Sequence, residues 1–223
     1  MYYEQIEDGL SLADLVRIVS EEKNSVESIS RTFGICKCTC CDHSNSKEST
    51  LKRRQHMAEV IRARNCTFAQ ILENVFEPVA DNVLHFRLRI AVEVAANLKS
   101  CFLDKEHRKR FYEGCALTRN RNCEFIAQLF LLSASERLWR KARKVLHHGS
   151  IDYGNMDLNC LDENEYLYYC AASDIQYGGS HINLSDLSDS EIVDFAAFRM
   201  ICHSVAICVY GVDAVNVSWK DFL

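Results

Sequence analysis

The chain has 223 residues, 48% of them hydrophobic and 26% charged, with a formal net charge of −5. That balance excludes a disordered chain and leaves enough polypeptide to bury a real core. One proline and eight glycines are few for an all-β protein, and no stretch runs apolar for the roughly eighteen residues a membrane helix needs.

The amino terminus, Met1-Tyr2-Tyr3-Glu4-Gln5-Ile6-Glu7-Asp8, is acidic and lacks the basic-then-apolar order of a secretory signal. The sequence therefore predicts a cytoplasmic protein whose twelve cysteines are reduced. A first helix is expected from Ser11 to about Asn24, through Ala13, Leu15, Val16, Ile18 and Val19. A second runs from a Ser25 cap through Val26, Ile29 and Phe33 to Gly34.

A cysteine-rich loop follows, with Cys36, Cys38, Cys40, Cys41 and His43 within eight residues. Thiolate plus imidazole is the donor set zinc prefers, and Cys38-x-x-Cys41 and Cys40-x-x-His43 have the spacing that lets two side chains converge on one ion. The expected cofactor is one structural Zn2+ held by four ligands from this set, with His56 and Cys66 as further candidates. A closed four-ligand site leaves no position open for water or substrate.

After a polar run at 44–49, a helix is predicted for residues 50–64, with Lys52, Arg53 and Arg54 exposed. Another starts at Thr67 and is broken by Pro78, and a long apolar helix spans about 79–98. A boundary near Ser100–Cys101 divides the chain into residues 1–100 and 101–223. Beyond it, Asp104 caps a basic helix in which His107 is expected to be exposed. Residues 122–147 read as one helix closed by Gly149, with His147-His148 at its end. Residues 163–175 form a helix ended by Gly178-Gly179, and Ser188 or Ser190 caps a helix over 191–210. A short strand is expected at 214–217. Cys115, Cys123, Cys170, Cys202 and Cys208 read as core. The expected fold class is mainly α, with two helical lobes and a zinc-binding loop in the N-terminal one.

Charge is distributed unevenly. Residues 1–103 are close to neutral, 104–148 carry a net +6, and 149–223 carry a net −10. An acidic segment repels nucleic acid and complements the cationic grooves of proteins that bind it. No Gly-rich phosphate loop, His-Glu-x-x-His pair or Gly-x-Ser-x-Gly turn is present. Cys66 and Cys101 are candidate nucleophiles by position only, Asp162-Glu163 and Asp186/Asp189 read as helix N-terminal charges, and no enzyme activity is expected.

The string Phe102-Leu103-Asp104-Lys105-Glu106-His107-Arg108-Lys109-Arg110-Phe111-Tyr112, the later Leu138-Trp139 pair, and Tyr177-Gly178-Gly179 before a closing helix resemble an uncharacterised family of small helical proteins. That family occurs in low-GC Gram-positive bacteria and their phages. The resemblance covers residues 101–211 and implies a helical fold and a phage or mobile-element setting. It carries no catalytic residues over. Residues 25–43 separately resemble a helix-turn-helix, with Ile29, Phe33-Gly34-Ile35, Lys37 and Thr39 at the packing, turn and recognition-helix positions.

Together these readings predict a non-enzymatic, zinc-stabilised protein in the cytoplasm of a bacterial host. It would bind and inhibit a nucleic-acid-handling defence protein such as a CRISPR nuclease. The alternative is a DNA-binding transcription regulator using residues 25–45.

Overall fold

The computed structural model describes residues 10–18, 55–77, 79, 81–97, 100–118, 122–147 and 149–215, the side chains of 95–97 excepted. Among them the protein is mainly helical, and no helix is long and apolar enough to cross a membrane. The helices are α1 (residues 12–18), α2 (residues 55–62), α3 (Phe68–Phe76), α4 (Asn82–Asn97), α5 (Lys105–Thr118), α6 (Cys123–Leu132), α7 (Glu136–Ala142), α8 (Glu163–Tyr177), α9 (Leu184–Ser188) and α10 (Phe195–Tyr210).

Local chemistry sets most of the starts. Ser11 and Asp14 form a reciprocal cap on α1: the Asp14 N–H donates to Ser11 Oγ at 3.1 Å and the Ser11 N–H to Asp14 Oδ2 at 3.2 Å. Thr67 and Gln70 do the same for α3, and Asp162 and Glu165 for α8. Asp104 Oδ1 accepts the His107 N–H at 2.6 Å at the start of α5. Gly178 ends α8 in the left-handed region at φ 70, where a side chain is disfavoured.

α6 and α10 form the centre. Leu129, Phe130, Leu131 and Leu132 of α6 are fully buried, as are Phe198, Met200, Ile201 and Cys202 of α10. α6 packs on both α8 and α10, and α3 packs on α10. Helices on either side of residue 100 share this buried cluster: Leu12, Leu15, Leu72 and Phe76 belong to it with Phe111, Phe130 and Phe198. The segment around Ser11, which forms an isolated antiparallel bridge with Asn183, is tied in by backbone bonds, Leu12 N–H to the Ile182 carbonyl and Leu184 N–H to the Leu10 carbonyl, both 2.9 Å.

Several expectations are corrected. Residues 122–147 are two helices, because Ser133 caps the end of α6 and Ser135 Oγ accepts the Leu138 N–H at 3.0 Å to start α7. Two serine caps flanking Ala134 outweigh an apolar periodicity that runs through the break. Past α7, β1 (Leu146–His147) pairs antiparallel with β2 (Ser150–Ile151), so Gly149, at φ 101, serves a hairpin turn and His147 lies in a strand. The cap of α10 is Asp194, not Ser188 or Ser190, because residues 184–188 already form α9. Ala214 and Val215, the described part of the strand expected at 214–217, belong to a 3-10 turn, Val212–Val215. The second predicted helix, 25–34, and Pro78 lie outside the described residues.

Close packing constrains Gly114. A Cβ on Gly114 of α5 would fall 2.7 Å from Trp139 Cη2, and the Trp139 ring is buried. Gly114→Ala is expected to cost about 1–3 kcal/mol of stability by overpacking. Gly154→Ala, whose nearest neighbour is Asp152 Oδ1 at 3.6 Å, is expected to be near neutral. Urea unfolding of the two variants checks the contrast.

Candidate functional site

The predicted zinc ligands Cys36, Cys38, Cys40, Cys41 and His43 lie outside the described residues, as does the helix-turn-helix segment 25–43. Of the additional candidates, His56 is exposed on α2 and Cys66 sits past its end, half-buried. The part of α2 between them, residues 57–62, is about 9 Å long. Among the described residues, no group of three or more His, Cys, Asp or Glu is placed to hold a metal ion.

The described thiols are mostly core. Cys101, Cys115, Cys170, Cys202 and Cys208 are buried, while Cys123 is half-buried, less enclosed than expected. Burial pushes the thiols of Cys101 and Cys115 up to about 12 and raises that of Cys66. A nucleophilic cysteine needs the opposite environment, so Cys66 and Cys101 are ill-suited to that role. Cys160 is exposed, with φ 60, on the loop before α8. Among the described cysteines, iodoacetamide is expected to label Cys160 first in the native state and to reach Cys101, Cys202 and Cys208 only on unfolding. Peptide mass spectrometry across a denaturant series reads this directly.

His107 is corrected from exposed to fully buried. Its Nδ1 accepts the Leu103 N–H at 3.1 Å, so Nε2 carries the proton and donates to the Phe130 carbonyl at 2.9 Å. The ring also sits among Phe102 and Phe130. Burial lowers its pKa to about 4, against the opposing pull of the Phe130 carbonyl. His203 of α10 is similar: Nδ1–H donates to the Arg199 carbonyl at 2.7 Å, the ring stacks on Phe68 at 4.3 Å, and burial holds its pKa at about 4.

Asp174 is fully buried at the end of α8. Its carboxylate accepts from the Ile182 N–H at 2.9 Å, the His181 N–H at 3.2 Å and His181 Nδ1–H at 2.5 Å. A Cβ on Gly179 would fall 2.5 Å from Asp174 Oδ1, so the second glycine of the pair makes room for this carboxylate. The Asp174–His181 pair thus pins the loop that carries Ile182 to α1.

Arg87, which sequence reasoning passed over, is buried on α4. It donates to the carbonyls of Leu187 at 2.6 Å, Asp189 at 3.0 Å and Val193 at 2.6 Å, and its guanidinium lies 4.5 Å from the centre of the Phe198 ring. It therefore holds the turn between α9 and α10 against α4. Nothing in the local sequence distinguishes it from the exposed Arg89.

Charge segregates on the surface. The basic run lines a groove between α5 and α7, where Lys109, Arg110, Arg140, Arg143 and Lys144 lie around Trp139 together with Glu106, Glu113 and Glu136. Much of that charge is engaged. Arg110 bonds the Ser133 and Ala134 carbonyls, Arg143 pairs with Glu113 at 3.0 Å, and Lys141 pairs with Asp157 at 2.7 Å. Arg137 Nε is 3.5 Å from the buried Glu165. The acidic segment instead gathers where the starts of α8 and α10 meet. Asn164 Nδ2–H donates to Asp194 Oδ2 at 2.8 Å and joins the two ends, with Asp162, Glu163, Asp189 and Glu191 exposed around them. Asp162 and Asp194 are helix caps, and backbone and Asn164 hydrogen bonds overcome burial to lower the pKa of Asp194. Asp186 also caps, on α9, whereas Asp189 follows that helix.

No protein-family model, curated protein or solved structure matches this chain.

Proposed function

We propose that this chain is a non-enzymatic interaction protein of a phage or mobile element that binds and inhibits a nucleic-acid-handling defence enzyme such as a CRISPR nuclease. The observation that carries the reading is the acidic edge at the shared start of α8 and α10, with Asp162, Glu163, Asp189, Glu191 and Asp194 exposed there. Closely spaced carboxylates repel nucleic acid and complement a cationic groove built to receive it. The setting comes from the resemblance at residues 102–112.

One further feature among the described residues is consistent with a binding role. The buried histidines and Asp174 are occupied in structural hydrogen bonds, and the buried thiols are held protonated. In the N-terminal lobe, a structural zinc held by four of Cys36, Cys38, Cys40, Cys41 and His43 would stabilise a loop with little apolar content of its own.

Titrating the purified chain into a guide-loaded CRISPR nuclease and its target DNA tests the reading. Cleavage is expected to fall as the chain is added, and the inhibition to weaken as salt is raised. Undiminished cleavage, with the chain itself retarding DNA in a gel shift sensitive to Lys37→Ala and Thr39→Ala, would return the protein to the DNA-binding class.

A further inference from the structure

α4 is apolar on two faces. Leu84, Leu88 and Ala91 are buried inward, while Val83 and Phe86 are 57% and 56% exposed and continue into the exposed Ile90 and Val94. These four recur every three or four residues, so they form one outward stripe about 16 Å long. Arg87 holds the α9–α10 turn against the same helix. That turn adds Ile192, 52% exposed, and the exposed Phe195 at the start of α10. Isolated exposed apolar residues are ordinary, but a stripe in helical register with a second element beside it is the pattern of a docking surface.

Its rim is acidic. Asp189, Glu191 and Asp194 are exposed on the turn and the start of α10. On α4 itself Glu93 is exposed and Arg89 lies over the Phe86 ring, 5.9 Å from its centre.

We propose that this surface docks a basic amphipathic helix of the partner protein. A helix fits because its ridges, spaced three and four residues apart, interlock with those of α4. The partner's flank that meets the α9–α10 turn must be basic, because the carboxylates of that rim face it. A two-fold contact with a second copy is disfavoured, since it would set acidic rim against acidic rim. The inference rests on the reading of the chain as an interaction protein and names the surface used.

The probe is a fourteen-residue leucine/lysine peptide with leucines at helical spacing, followed by fluorescence anisotropy against the full chain. A leucine/glutamate peptide of the same pattern is the control. The lysine peptide is expected to bind at least tenfold more tightly than the glutamate one. Phe86→Ser with Ile90→Ser should weaken it at least tenfold while leaving the circular dichroism unchanged. Asp189→Lys with Glu191→Lys should weaken it and abolish its salt dependence, whereas Asp157→Asn, away from the stripe, should not. Equal binding by the Phe86/Ile90 variant overturns the proposal, as does a concentration-dependent dimer of the unmodified chain that this variant abolishes. A variant that loses the peptide but still inhibits the nuclease overturns this surface as the docking site and leaves the functional reading standing. Peptide binding at the stripe by a chain that inhibits no nuclease keeps the surface and removes that reading.

Discussion

Lowering the pH from 7 to 4.5 is expected to destabilise the protein strongly, and His107 and His203 are the reason. Both are buried, both use a neutral ring in fixed hydrogen bonds, and both have a folded pKa of about 4 against 6.5 for the ordinary side chain. Protons therefore bind the unfolded chain first. The stability these residues contribute is full above the unfolded value. It is lost as pH falls from about 6.5 towards about 4, below which the folded state also takes the proton. Each histidine is expected to withdraw about 2–4 kcal/mol over that window, a large share of the stability of a domain this size. Carboxylates with lowered pKa, such as Asp14, Asp81 and Asp194, act in a separate window below their ordinary value of 3.8.

Zinc thiolates would also be protonated on acidification, so the comparison needs variants that change only the histidines. His203→Phe keeps an aromatic ring against Phe68, and His107→Gln keeps one donor and one acceptor. Urea unfolding at pH 7, 6, 5 and 4.5 should show a shallower slope for each variant than for the unmodified chain. An identical slope in all three would place the acid sensitivity elsewhere.

Arg87→Met is expected to cost about 3 kcal/mol, lowering the melting temperature by about 6–12 °C. Methionine keeps the apolar stem beside Phe198 but removes every donor, leaving the Leu187, Asp189 and Val193 carbonyls without the guanidinium. Arg87→Lys should recover only part of the loss, because a single ammonium cannot serve carbonyls spread over a turn as a planar fork does. Amide exchange over residues 184–194 is the discriminating readout. It should rise in Arg87→Met before the α6–α10 core exchanges. Uniform exchange throughout the molecule would mean that Arg87 does not hold that turn separately.

Helix boundaries were legible in the residues: Ser11 stands at the helix start expected there, and Asp104, Asp162 and Gly178 act at the helix ends their residue types predict. The break at Ser133-Ala134-Ser135 was not, because Leu132 and Trp139, seven residues apart, keep helical spacing across it while the decisive bonds are single serine hydroxyls. His107 read as exposed beside Arg108, Lys109 and Arg110. Its place four residues before Phe111 and eight before Cys115 is the signal of an inward face, and that periodicity outranks local charge. Arg87 was beyond sequence reading, since its partners lie about a hundred residues away. The stripe on α4 was hidden for another reason: with both faces apolar, periodicity reports a helix without saying which face the core takes. The cysteine loop, the strongest signal in the sequence, lies outside the described residues and rests on donor chemistry alone.

The most direct measurement is native mass spectrometry of the full chain mixed with a guide-loaded CRISPR nuclease and target DNA. The predicted species is the nuclease with one copy of this chain carrying one zinc ion, and without DNA. A metal-free chain separate from a nuclease that still holds its DNA would contradict both the zinc assignment and the inhibitory role.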